Sequence, residues 1–277
     1  MKNKNIILNS FLKSFADIWK NKSAFLLLFI LQILFFWSLF STSVKYQTRI
    51  LEDSQAISDY LSRQKLDEIS IAQNVMQQKD ILGEDPLLIG RHFNEIAKNF
   101  RAYLAIFFIS LAAFLSFAWS WANKLTGKMK FNELNRLFTR NLVIALLYLT
   151  LMFLFFYSLF NIPIAQAADV GIFAKYVPFL IAAPIMAYFM LVSLSLPYSI
   201  RLNKILQRTL SIGIKKAHYV LSAHFINIIL LAIPIILLYY FFEENLPILI
   251  LSLAAIVFSF VFGKIFMVNI VEKLGNL

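Results

Sequence analysis

No cysteine occurs anywhere in this chain, which excludes disulfides, thiolate metal sites and cysteine nucleophiles. Glycine is scarce, at seven residues, and none forms a Walker-type phosphate loop. No two histidines stand four apart to hold a metal. Acids are few, 15 against 26 Lys and Arg. The most consequential absence is local. Residues 24–41, 103–122, 142–162, 178–200, 219–242 and 246–263 contain not one Asp, Glu, Lys or Arg. A paired-aspartate membrane protease is thereby excluded, and, His224 apart, the ionisable groups that usually mark pumps are missing from these runs.

What fills the runs is apolar: 60% of the chain is hydrophobic and 29 residues are Phe. Each run has 18 to 24 residues, enough to cross a hydrocarbon core of about 30 Å as an α-helix rising about 1.5 Å per residue. The expected fold is therefore all-α, a polytopic six-transmembrane-helix bundle forming a single membrane domain over 1–277. The net charge of +11 reports topology, not nucleic-acid binding. Segments 1–23, 123–141, 201–218 and 264–277 hold 17 of the 26 basic residues and three of the 15 acids. The positive-inside rule puts them, and both termini, in the cytoplasm. The first run lacks an Ala-x-Ala cleavage site and reads as a retained signal-anchor.

Three basic segments precede spans and have helical periodicity. In 5–20, Ile7, Phe11, Phe15 and Ile18 share a face with Leu8, Leu12 and Trp19, while Lys13, Asp17 and Lys20 face away. Segments 125–140 and 203–217 have the same character. Each is expected to lie in the inner interface, apolar side down, with Lys13, Lys20, Lys22, Lys215 and Lys216 on anionic headgroups. A shift of 120 residues lays Phe11 on Phe131, Lys20 on Arg140 and Asn21 on Asn141. It also lays Phe35-Phe36-Trp37-Ser38-Leu39-Phe40 on Phe155-Phe156-Tyr157-Ser158-Leu159-Phe160. The chain therefore reads as three tandem units, each an interfacial amphipathic helix followed by a helical hairpin.

The segment 42–102 is the one sizeable extracytoplasmic piece. Its spacing predicts a helical hairpin standing off the membrane, its first leg broken near 62–65. Gly83-Glu84-Asp85-Pro86 supplies a C-cap, an N-cap and a first helical position. His92 and His218 are expected on solvated surface.

Polar groups inside the runs are few enough to name. Gln32, His224 and Asn227 are the candidate polar path, His224 and Asn227 sharing a face at spacing three. The same residues serve equally as interhelical hydrogen-bond partners in a plain bundle. Lys264, directly after the sixth run, is expected to snorkel to the inner headgroups. Ala112, Ser116 and Ser120, and again Ala255, Ser259 and Gly263, recur every four residues and are expected to let helices pack closely. Pro184, Pro197 and Pro234 are expected to kink or break spans four and five.

Enzyme motifs fail one by one. Glu243-Glu244 with His224 and Asn227 is similar to the motifs of CAAX-type membrane proteases, but no Arg follows at the needed spacing, the His-to-Asn gap is one short and a second membrane His is lacking. The 201–216 segment lacks the Glu-Ala-Ala signature of importer coupling loops. No catalytic, cofactor-binding or metal residue is identified. The layout of three interfacial helices and three span pairs resembles uncharacterised prokaryotic six-span membrane families, including membrane domains fused to glycerophosphodiester phosphodiesterases. That resemblance implies the plasma membrane of a prokaryote. It carries no phosphodiesterase activity over, because the sequence holds no such motif.

The function expected is non-enzymatic: an assembly, lipid-organising or accessory subunit, with membrane lipids and a membrane-protein partner or a second copy as its contacts. The alternative is a permease for an apolar or amphipathic solute. A cavity reaching His224 and Asn227 favours transport; a solid bundle favours the assembly role.

Overall fold

The computed structural model describes residues 6–63, 87–127, 129–159, 170–241 and 246–275. Every element among them is an α-helix. In chain order these are α1 (Ile6–Lys20), α2 (Lys22–Arg63), α3 (Leu87–Thr126), α4 (Phe131–Leu159), α5 (Val170–Leu194), α6 (Leu202–Lys215), α7 (Ala217–Phe241) and α8 (Leu246–Gly275). Five, α2, α3, α4, α7 and α8, are long and apolar enough to cross a membrane, and Leu180–Leu194 of α5 is a shorter apolar helix. The chain is an all-helical, multi-pass membrane protein.

Helices α2 and α3 pack along each other in opposite directions. Trp121 Nε1 donates to the Ala24 carbonyl at 3.0 Å, the Ser43 and Tyr103 hydroxyls meet at 2.8 Å, and Asp53 meets His92 Nδ1 at 2.8 Å. At about 1.5 Å per residue each helix is some 60 Å long, twice a hydrocarbon core. Both helices therefore extend well beyond a single crossing, and the first is described as far as Arg63. His92 is thereby drawn into an interhelical pair. The Gly83–Pro86 punctuation lies outside the described residues; α3 begins directly after it.

The last helix is the hub. α8 packs on α1, α2, α3, α6 and α7. Phe262, Ile265, Phe266, Ile270 and Val271 are wholly buried. The sixth run was expected to end at 263. The helix instead continues to Gly275, because the residues after Lys264 are again apolar and find a core.

The amphipathic segments divide. α1 and α6 are separate helices, as expected. The segment 125–140 is not: α3 runs on to Thr126 and α4 begins at Phe131 and passes through residue 140 unbroken. Its start is fixed by Glu133, whose carboxylate accepts the Lys130 backbone N–H at 2.7 Å, half of a capping box. No break is needed further on, because the polar pair there finds partners at once. Asn141 donates to Ser120 Oγ at 3.1 Å, and Arg140 bonds carbonyls past the end of α5. Pro197 falls in that turn, beyond α5, while α5 and α7 stay helical through Pro184 and Pro234.

α1 also differs from a helix lying flat with its charges in water. Ile7, Phe11 and Ile18 pack against the core, and Leu8, Leu12, Phe15 and Trp19 are exposed. The supposed polar face is docked on α8. Asn269 Nδ2 donates to Ser14 Oγ and to Asp17 Oδ2, both at 3.0 Å, and Lys13 pairs with Glu272 at 3.0 Å. Burial raises the Asp17 carboxyl above its ordinary range, opposed in part by the Asn269 hydrogen bond and by Lys13. The extension of α8 past Lys264 supplies every one of these partners.

One device recurs three times. Asn21 donates to the Leu125 carbonyl at the end of α3, Arg140 to the Leu196 carbonyl beyond α5, and Lys216 to the Leu274 carbonyl near the end of α8. Each donor satisfies a carbonyl at or just past a helix C-terminus, where the intrahelical partners run out.

Candidate functional site

A cavity of about 410 Å³ opens between α2, α3, α5, α7 and α8. Gln32, His224 and Asn227 all line it. Gln32 and Asn227 each lie ten residues into their helices, about 15 Å from the N-terminal end at 1.5 Å per residue. The two polar levels therefore coincide. Phe35, Phe36, Leu111, Phe114 and Leu231 give the walls an apolar character.

Lys264 lies in the same lining and is the residue that sequence reasoning misplaced. It is 8% exposed, not extended to headgroups. Because α8 continues for another eleven residues, its side chain has no short way to an interface. Its ammonium donates to Gln32 Oε1 at 2.8 Å and to the Phe260 carbonyl at 3.3 Å, and sits 5.6 and 5.8 Å from the Phe114 and Phe260 ring centres. The partners are neutral. Among the described residues, no carboxylate lies within ion-pair distance of it. The sequence signal was present: a cation flanked on both sides by apolar residues, which a charge-delimited span boundary conceals.

The other polar side chains are under-satisfied. Asn227 Nδ2 makes one long bond, 3.4 Å to the Gly263 carbonyl. Its Oδ1 and His224 Nε2 are buried without a hydrogen-bond partner. Unpaired polar atoms away from water are costly, and a native site that keeps them calls for a reason. The Tyr188 ring lies tilted against that of His224, centres 6.0 Å apart, while its hydroxyl donates to the Gly213 carbonyl of α6 at 2.8 Å.

The small-residue stripes act as packing surfaces around the cavity. Ser259 Oγ bonds the Leu230 carbonyl of α7 at 2.9 Å, and Gly263 faces Asn227, whose side-chain carbon would lie 3.2 Å from an added Cβ. Ala255 is half-buried one turn further along. On α3, Ala112, Ser116 and Ser120 are buried, Ser120 receiving Asn141 of α4.

Of the five cations assigned to headgroups, Lys20, Lys22 and Lys215 are exposed, with Lys22 placed 3.9 Å over the Trp19 ring. Lys13 and Lys216 are engaged within the protein. A larger cleft of about 890 Å³ is lined by Arg136, Arg140, Tyr198 and Arg201. There Arg140, 7% exposed, gives its donors to the carbonyls of Leu196, Pro197 and Ile200 and to Asn141 Oδ1. That arrangement fastens the α5–α6 turn.

Comparison with protein-family models, with curated proteins and with solved structures finds no match to this chain.

Proposed function

We propose that the chain is a non-enzymatic membrane protein that takes an amphipathic solute into the cavity around Lys264 and acts as a permease for it. The single observation that carries this reading is the convergence of Gln32, His224 and Asn227 on one cavity of about 410 Å³, a size within the range of about 300–1,000 Å³ used for small-ligand sites. An accessory or assembly subunit needs close packing there, and a packed bundle has no use for buried polar atoms without partners.

α5 is read as a sixth span, Val170–Leu194 having 25 residues. That gives an even count, and the charge distribution then leaves both termini in the cytoplasm of a prokaryotic plasma membrane. Three tandem units are the organisation that best accounts for the capping bonds from Asn21, Arg140 and Lys216. In each, a residue near the entrance to a unit's first span ties down the end of its second.

The test is flux in proteoliposomes. A single-chain amphiphile carrying a quenchable fluorophore should cross faster into vesicles holding the protein. The double variant His224→Leu, Asn227→Leu should lose that excess while keeping its thermal unfolding midpoint. Transfer no faster than in protein-free vesicles would return the assembly role to first place.

A further inference from the structure

We infer that the occupant of the cavity is anionic: one acyl chain ending in a carboxylate, with Lys264 as its counter-charge. This rests on the reading of the cavity as a solute site and deepens it. An ammonium held away from water by neutral partners is an uncompensated charge, and such charges are paired when they persist inside proteins. The six apolar runs contain no acid, and among the described residues no carboxylate is within ion-pair distance of Lys264. An ammonium has three donors. Two go to Gln32 and Phe260, which leaves one for a ligand.

The neighbouring groups suit a carboxylate. His224 Nε2 is buried and without a partner, so in the tautomer that protonates it, it offers a donor to a second oxygen. Asn227 Oδ1, also unpartnered, accepts the proton of a carboxylic acid and so serves the neutral form of the same headgroup. Trp119 Nε1, another buried donor without a partner, and the Ser259 hydroxyl are also in the lining, and the rest is apolar, with Phe35, Phe36, Leu111 and Leu231 among it. Size narrows the class. A volume of about 410 Å³ holds roughly a dozen groups the size of a water, at about 30 Å³ each. A methylene is comparable in size. One chain of that length fills it.

The experiment uses the full-length protein in amphipol, free of detergent, with radiolabelled myristate and radiolabelled myristyl alcohol as probes. Myristate should bind at one per protein and at least tenfold tighter than the alcohol. Lys264→Met should remove that preference, bringing the affinity for myristate down to that for the alcohol. Gln32→Glu places a carboxylate beside Lys264 with almost no change in shape, so it should weaken myristate at least tenfold more than it weakens the alcohol. It also keeps the test decisive if Lys264→Met fails to fold. Equal binding of acid and alcohol, indifferent to Gln32→Glu, would overturn the anionic class and leave the cavity reading standing. Binding of neither probe would overturn both. Binding at equal strength to a variant with the cavity filled by Ser259→Phe would do the same.

Discussion

Lys264 and Gln32 lie 232 residues apart in the chain and meet at 2.8 Å inside the bundle. Gln32 is 2% exposed, so its amide oxygen depends on the ammonium as its partner. Removing one member should cost more than removing both. Gln32→Leu should lower stability by about 1–3 kcal/mol, the penalty for stranding a buried polar group. Adding Lys264→Met should restore most of it, since a buried charge exchanged for an apolar group of similar length is often neutral or stabilising. Thermal unfolding of the four members of this cycle measures the coupling. A Gln32→Leu protein as stable as the parent would show that the pair contributes nothing.

Arg140 fastens the α5–α6 turn through the carbonyls of Leu196, Pro197 and Ile200. Arg140→Met should cost about 1–3 kcal/mol for each carbonyl left unpaired. Arg140→Lys should recover only part, because a single ammonium cannot reproduce the spread of a guanidinium. Limited trypsin digestion reads the result: cleavage at Arg201 and Lys204 should quicken in both variants, more in the methionine one. Equal digestion of all three would separate Arg140 from the turn.

The apolar runs announced the helices, and the rarity of polar groups within them announced Gln32, His224 and Asn227. Those features are local, and periodicity and length read local features well. What escaped were charges whose partners are remote. Lys264 was read as a span end because its acceptor is 232 residues away; Asp17 and Lys13 were read as water-facing because Asn269 and Glu272 are 252 and 259 residues away. Arg140 was read as interfacial for the same reason. In a membrane bundle a charge marks either an interface or a built partner, and only the tertiary fold tells them apart. The cavity itself is a property of five helices together and left no trace in any one of them.

Asp17 gives a pH-dependent consequence of that docking. Burial raises its carboxyl above the ordinary value of 3.8, so the docked form holds the proton more tightly than the unfolded form. Stability contributed by this group is present below the unfolded value and is lost as pH rises through the raised one. At neutral pH its charge is therefore a net cost. Asp17→Asn keeps an oxygen for Asn269 and should raise Tm at pH 7. The gain should shrink as pH falls and vanish below about pH 3, where the carboxyl is protonated in both the folded and the unfolded form. A Tm difference independent of pH would assign the effect to packing.

Glycine is demanded by close approach at one position and by nothing at another. A Cβ on Gly213 would lie 2.8 Å from the Phe189 ring, beside the Tyr188 bond to the Gly213 carbonyl. Gly213→Ala must therefore push α6 away from α5 or turn the ring, at a cost of about 1–3 kcal/mol. A Cβ on Gly90, in α3, meets nothing within 4 Å. Gly90→Ala should stabilise by up to about 1 kcal/mol through helix propensity alone. The two substitutions are chemically identical, so their opposite signs in a thermal unfolding comparison isolate the α5–α6 contact. Gains at both positions would mean that α6 does not lie against Phe189 as closely as described.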